Sequence, residues 1–259
     1  MGITYRKGVD WHDCVVLGVA DASHAGSSEY LNDWDEVEPF RSQGGKLVFL
    51  ASPDAKNEDE FSVVLISYSS SVLKRVVRST IQAESYNLDQ VVEEADLVRA
   101  AVLDARGLLD RKDWEASASD QMSQVWVTDC NSLKTALSKP IVKTIDKRLG
   151  ITLAGLRQQL WRYVGRDSLS ARLQDEPPKI PVHFLRWVDT KVMIADPLTK
   201  YMSDHLLQHV LDTGRWNVSQ PLASKHEKEK KAQWRQAQRH AKKGSGGGDS
   251  KEQDEPFEP

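Results

Sequence analysis

Four acidic residues, Asp21, Glu84, Asp129 and Asp196, stand at positions where chemistry competes with an ordinary structural role. Asp21 follows directly on the apolar run Cys14 to Ala20, where a strand would leave a sheet; an aspartate opening a turn is the plain alternative. Glu84 stands four residues before Leu88 on one helical stripe, so its carboxylate points toward a sheet. A carboxylate so placed is costly unless a cation or a hydrogen-bond donor meets it, and an arginine at the core edge would serve as well as a metal ion. Asp129 ends the run Gln124 to Thr128 just ahead of a helix starting near Asn131, where an N-cap explains it equally well. Asp196 precedes Pro197, a common way of starting a helix. Gathered at one place, four carboxylates repel one another unless divalent cations neutralise them, and an all-oxygen ligand set favours magnesium or manganese over zinc. The two cysteines, Cys14 and Cys130, lie far apart and each in an apolar run, which suits reduced thiols better than a disulfide or a zinc site.

Bringing the acids together requires a sheet edge. The runs Cys14 to Ala20, Lys46 to Ala51 and Ser62 to Tyr68 are short, β-rich and bounded by polar residues, and read as a three-stranded meander. Ser79 and Thr80 offer N-caps for a long helix in which Leu88, Val91, Val92, Ala95, Val98, Val102 and Ala105 recur at three- and four-residue steps. Gln124 to Thr128 is a fourth strand, Asn131 to Ser138 a short helix stopped by Pro140, Ile145 to Tyr163 a second amphipathic helix, and Ile180 to Val188 a fifth strand. Leu206 to Trp216 gives one more helical stretch, ended by Gly214. The order βββαβααβα predicts an α/β fold, a five-stranded mixed sheet covered by helices.

The motifs around the acids resemble the ribonuclease H domain of copia-type retrotransposon (retrovirus-related) Pol polyproteins. Val19-Ala20-Asp21-Ala22-Ser23-His24-Ala25-Gly26 is similar to that family's first-strand motif, and Arg78-Ser79-Thr80-Ile81-Gln82-Ala83-Glu84-Ser85-Tyr86 to its glutamate helix. Thr128-Asp129-Cys130-Asn131-Ser132-Leu133 is similar to the third motif and Ile194-Ala195-Asp196-Pro197-Leu198-Thr199-Lys200 to the closing one. The similarity runs from about Gly2 to Trp216 and includes Arg41-Ser42-Gln43-Gly44-Gly45 and Asp146-Lys147-Arg148.

What the resemblance implies is a ribonuclease H-like fold and a metal-dependent endonuclease that hydrolyses the RNA strand of RNA/DNA hybrids. Asp21, Glu84, Asp129 and Asp196 would be both catalytic and metal-holding, with two Mg2+ ions about 4 Å apart and Mn2+ as a substitute. The products would carry a 5′-phosphate and a 3′-hydroxyl. Ser23, Gln82, Asn131 and Ser132 would contact the hybrid near the 2′-hydroxyls of the minor groove. Lys74, Arg75 and Arg78 would grip phosphates, with a solvated basic turn as the alternative. The sequence departs from the bacterial pattern in having no histidine between Val188 and Ala195, and the acid-rich insertion Glu29 to Arg41 reads as a solvated loop. No reverse transcriptase, protease or zinc-bearing integrase motif is present, so the chain reads as a piece of such a polyprotein or a gene derived from one. A reverse transcriptase domain is an expected partner, and no small-molecule cofactor or membrane is. A glutamate in the first helix speaks against an integrase. The alternative is an inactive or domesticated remnant that binds nucleic acid or protein through the same fold.

With 259 residues and 39% hydrophobic content the chain can bury one substantial core. The organisation read from it is an N-terminal extension (1–13), a ribonuclease H-like domain (14–200), a C-terminal helical extension (201–223) and a tail (224–259). The net charge of −3 hides a basic run from Lys225 to Lys243, with a lone basic helix as the alternative to disorder, while Gly244 to Gly248 and the acidic end from Asp249 have the composition of disorder. The rest is mildly acidic, a weak mark against sequence-blind nucleic-acid binding and none against a metal-dependent nuclease. No apolar stretch is long enough for a membrane helix and no signal-peptide core opens the chain, so the expected location is intracellular, cytoplasmic or nuclear.

Overall fold

Every residue from Val15 to Ala22 is buried, and a run buried on both faces belongs in the middle of a sheet. In a computed structural model, which describes residues 8–27, 41–139, 146–163 and 179–219, this run forms the central strand β1 (Val15–Ser27). It is antiparallel to β2 (Arg41–Ala51) and parallel to β4 (Gln124–Thr128). Outside them lie β3 (Glu60–Val72), antiparallel to β2, and β7 (Phe184–Trp187), parallel to β4. The result is a mixed α/β fold, an antiparallel meander continued by two parallel strands, as expected.

The sheet has six strands rather than five. Arg215 and Trp216, read as the end of the last helical stretch, instead form with Asn217 the strand β8 (Arg215–Asn217) against the outer edge of β3. Gly214, in the left-handed region at φ 66°, ends helix α5 (His205–Thr213) and turns the chain back. That turn lets Trp216 bury its ring edge-on against Phe61, with its indole N–H donating to the Val192 carbonyl. The expected strand from 180 to 188 is likewise broken. Lys179–Pro181 (β6) pairs with Trp161–Tyr163 (β5) in a separate ribbon, and only β7 enters the main sheet. Helix α4 (Lys147–Leu160) is shorter than expected for the same reason; its start is capped by Asp146, which accepts from the amides of Arg148 and Leu149.

Helix α1 (Thr80–Ala105) lies across one face of the sheet, its Ser79 hydroxyl accepting from the Gln82 amide. Leu88, Val91, Val92 and Ala95 are the stripe it buries, against Val16, Val48 and Trp126 among others. Helix α3 (Asn131–Ser138) and α4 extend that layer through Leu133, Leu137, Leu149, Leu153 and Leu156. A short helix α2 (Trp114–Gln121), not expected from the sequence, buries little beyond Ala118. The opposite face, with Val15, Leu17, Val19, Leu47 and Phe49, is covered by the segment from Val188 to Val218. Among the described residues no helix is long and apolar enough to cross a membrane. The loop 29–41 up to residue 40 and the tail from 224 lie outside the described residues.

Between α1 and β7 sits a buried polar network. The Arg99 guanidinium donates to Asp96, to Ser119 and to His183 Nε2 at 3.1 Å. Burial, then the positive charge of Arg99, pushes the His183 pKa down to about 3. A histidine whose folded pKa lies below its unfolded value of 6.5 contributes stability that is complete above pH 6.5 and lost as pH falls toward 3. The loss runs at about 1.4 kcal/mol per pH unit. Thermal denaturation between pH 7 and 4 should therefore show the wild type losing ground relative to His183→Gln, whose side chain does not titrate. Parallel pH dependences in the two proteins would show that the ring is not buried neutral.

Candidate metal centre

The parallel strands β1, β4 and β7 end on the same side of the sheet, and the crevice outside such carboxyl ends is where α/β proteins place their ligands. Asp21 sits in β1 opposite Gly45 of β2, Asp129 follows β4 by one residue, and Glu84 projects from the second turn of α1. One carboxylate oxygen from each of Asp21, Glu84 and Asp129 lies within 4.8 Å of the other two.

Each acid is held by particular neighbours. Glu84 Oε1 accepts from the Ala22 amide at 3.2 Å, while Oε2 is buried without a hydrogen-bond partner. Asp129 Oδ2 accepts from the Thr190 hydroxyl at 2.8 Å, and the Trp187 indole N–H donates to its carbonyl at 2.7 Å. The N-cap of α3 is Cys130, not Asp129, so the capping alternative for Asp129 does not hold. Asp21 Oδ2 accepts from the Thr199 hydroxyl, and Oδ1 lies 3.5 Å from Lys200 Nζ. Asn87, one helical turn beyond Glu84, ties the backbone of β1 to that of β2: its amide donates to the carbonyls of Asp21 and Gly45 at 2.8 and 2.9 Å.

Asp196 is buried too, but it opens a single 3-10 turn (Asp196–Leu198) rather than a helix, and its Oδ1 is bonded to Lys200 Nζ at 2.6 Å. It joins the other acids through that ammonium rather than directly. Thr190 and Asn87 were not singled out in the sequence, and Thr199 and Lys200 entered only as members of the closing motif, without a role. The signal for Lys200 was present, a cation four residues beyond Asp196 in the closing motif.

The electrostatics follow from crowding and burial. Burial raises the Glu84 carboxyl well above its ordinary value, and the charges of Asp21 and Asp129 push it further the same way. Burial also raises Asp21, opposed by Thr199 and Lys200 and reinforced by Asp196. Asp129 is raised by burial first, with Thr190 opposing and Asp21 adding. Burial works against the charge on Lys200, but Asp196, Asp21 and Asp129 outweigh it and hold its pKa up. Three raised carboxyls with an unpartnered buried oxygen fit a divalent cation, and the oxygen-only donor set fits a hard one.

The remaining expected contacts distribute unevenly. Ser23 is half-buried two residues beyond Asp21, and Asn131 and Ser132 are exposed beside Asp129 at the start of α3. Gln82 is buried and engaged, its amide donating to Asp146 Oδ2 at 3.0 Å and Tyr86 Oη at 3.2 Å, while Oε1 accepts from the Arg78 backbone. It bridges α1 to the cap of α4. Lys74, Arg75 and Arg78 are exposed between β3 and α1. Arg75 lies over the Tyr86 ring, and with Lys74 borders a groove closed by Asp89 and Glu93.

No protein-family model matches the sequence, and no curated protein does. Among solved structures, the chain is similar to RNase H1 from the halophilic archaeon Halobacterium salinarum NRC-1, at 15% identity over 75% of this chain and 98% of that one, with a TM-score of 0.38. It is also similar to LC11-RNase H1 isolated from compost by a metagenomic approach, at 11% identity over 74% and 98% of the two chains, with a TM-score of 0.40.

Proposed function

We propose that this chain is a metal-dependent endonuclease that hydrolyses the RNA strand of RNA/DNA hybrids, as the ribonuclease H part of a copia-type retrotransposon polyprotein. The observation that carries the reading is the convergence of Asp21, Glu84 and Asp129 around a buried Glu84 oxygen that has no protein partner. The four acidic motifs, in the order in which the resemblance has them, supply the substrate class and the retrotransposon context. Two magnesium ions, with manganese as a substitute, would supply the acidity that activates the attacking water and steadies the leaving oxygen.

The chain's own part is positioning. Glu84, Asp21 and Asp129 hold the cations, and Asp196 completes the set from the far side of Asp21. Thr190 fixes the rotamer of Asp129, Thr199 that of Asp21, and Asn87 fixes the spacing of the two strands beneath. Ser23, Asn131 and Ser132 stand beside the acids, where the 2′-hydroxyls of a bound hybrid would be recognised. Gln82 would join them only by giving up its bonds to Asp146 and Tyr86. Lys74, Arg75 and Arg78, exposed ahead of α1, supply phosphate contacts. A mildly acidic body makes this grip weak in isolation, so a reverse transcriptase domain would provide much of it.

The test is cleavage of a labelled RNA/DNA hybrid by the full chain in Mg2+ and in Mn2+, beside single-stranded RNA and an EDTA control. The expected result is cutting of the hybrid alone, abolished by EDTA and restored by either ion. Cutting that survives chelation would remove the metal centre from the reaction. A folded protein that binds Mn2+ and cuts nothing would leave a binding module.

A further inference from the structure

The acid cluster has two unequal halves. In one, Asp21, Glu84 and Asp129 approach one another with a Glu84 oxygen left unpartnered. In the other, Asp21 and Asp196, 1% and 2% exposed, are joined by the Lys200 ammonium at 3.5 and 2.6 Å. The segment carrying Lys200 is anchored independently of it. The amides of Thr199 and Lys200 each donate to the Asp196 carbonyl at 3.0 Å, and Ser70 Oγ donates to the Leu198 carbonyl at 2.5 Å. The ammonium therefore stands at a defined place, on the carboxylate oxygens that a cation at Asp196 would need.

We infer that Lys200 is a built-in counter-ion for the Asp21 and Asp196 half of the cluster, and that a divalent cation is held there only once the ammonium has been displaced. The inference rests on the metal-centre reading above and adds an order to it. The Asp21, Glu84 and Asp129 half takes its ion first, because the ammonium is bonded to Asp196 at 2.6 Å and only reaches Asp21 at 3.5 Å. The Asp196 half fills second and more weakly, because one cation is exchanged for another. Without metal, Lys200 keeps two buried carboxylates from repelling each other, so the site stays assembled while empty. Lys200 is in this sense a positioning residue, acting through Asp21 and Asp196.

Mn2+ titration of the full chain by calorimetry, with bound ions counted by electron paramagnetic resonance, tests this without reference to activity. Melting temperatures are measured in EDTA and in saturating Mn2+. Lys200→Met should bind the second Mn2+ about tenfold more tightly than wild type, since the charge that competes for the same carboxylate oxygens is gone. It should melt earlier in EDTA and recover in Mn2+. Lys200→Arg, which keeps the charge, should retain the weak second site. A folded Lys200→Met whose second affinity is unchanged or weaker overturns the inference, and so does a variant that fails to fold even in saturating Mn2+. A wild type that binds two ions with Lys200→Met unchanged overturns the role of Lys200 alone. A wild type that binds none overturns the metal centre and this inference together.

Discussion

Glu84→Gln should abolish hybrid cleavage and, in the metal-free protein, raise the melting temperature. The two effects have one cause. Glu84 is 3% exposed, faces two other acids, and has an oxygen that no protein group meets. Burial and then the charges of Asp21 and Asp129 raise its pKa well above the ordinary 4.5. A carboxyl raised on folding contributes stability that is complete below its unfolded pKa and lost as pH rises through the folded one. The metal-free protein therefore carries a cost that grows by about 1.4 kcal/mol for each pH unit above the unfolded value until the folded pKa is passed. The isosteric amide removes that cost and still accepts from the Ala22 amide, and each kcal/mol recovered is worth about 2–4 °C in a domain of this size. On the proposed reading the same change removes a charged ligand. Since several kcal/mol of charge stabilisation are at stake at about 1.4 kcal/mol per decade of rate, activity should fall by about 1,000-fold or more. Melting in EDTA at pH 5 and 8, with hybrid cleavage in Mg2+, measures both. The gap between variant and wild type should widen at pH 8 and close in saturating Mn2+. A variant retaining a tenth of wild-type activity would take Glu84 out of the chemistry, and a gap that ignores pH would mean that its carboxyl is not desolvated.

What could be read in the sequence was what is local. The strand Gln124 to Thr128 and the helix Asn131 to Ser138 fall where the apolar run and Pro140 put them. The Ser79 cap and the stripe from Leu88 to Ala95 placed α1 against the sheet, and with it the inward aim of Glu84. What could not be read depends on partners distant in the chain. Trp216 looks like the end of an amphipathic helix until Phe61 and the free edge of β3 are available to it. Residues 180 to 188 look like one strand because nothing local reports that Pro181 pairs with Trp161 while Phe184 pairs with Val125. The meander strands extend past their apolar runs, with Asn87 tying the polar end of β1 to β2 and Gln43 of β2 donating to Ser70 of β3, and Asp21 lies in that polar extension. The gathering of three acids was legible from their positions at strand and helix ends. The separation of Asp196 from them by an ammonium was not, because it depends on how a one-turn segment lies across β2.

That segment makes Gly45 the second position of large effect. A Cβ added there would stand 2.7 Å from Leu198 Cβ, 2.9 Å from Thr199 Cγ2 and 3.1 Å from the Ala195 carbonyl oxygen, all closer than real Cβ atoms comfortably sit. These are backbone or backbone-proximal atoms of one short turn, so relief comes only by lifting the turn off β2. Thr199 and Lys200 travel with it, and their bonds to Asp21 are lost while Glu84 and Asp129, on other elements, stay in place. Gly45→Ala should therefore cost about 1–3 kcal/mol of stability, as overpacking does. It should also cost about 100-fold in hybrid cleavage per folded molecule, the scale of a 1 Å misplacement. Gly18→Ala is the matched comparison. Its added methyl would meet Val91 Cγ1 of α1 at 2.5 Å, a crowding of similar severity on the opposite face of the sheet. It should lower the melting temperature to a similar extent and leave cleavage per folded molecule within a few-fold of wild type, because it disturbs no residue between Ala195 and Lys200. Equal activity losses in the two variants would mean that the turn over β2 does not position the acids, and that only general stability links Gly45 to the site.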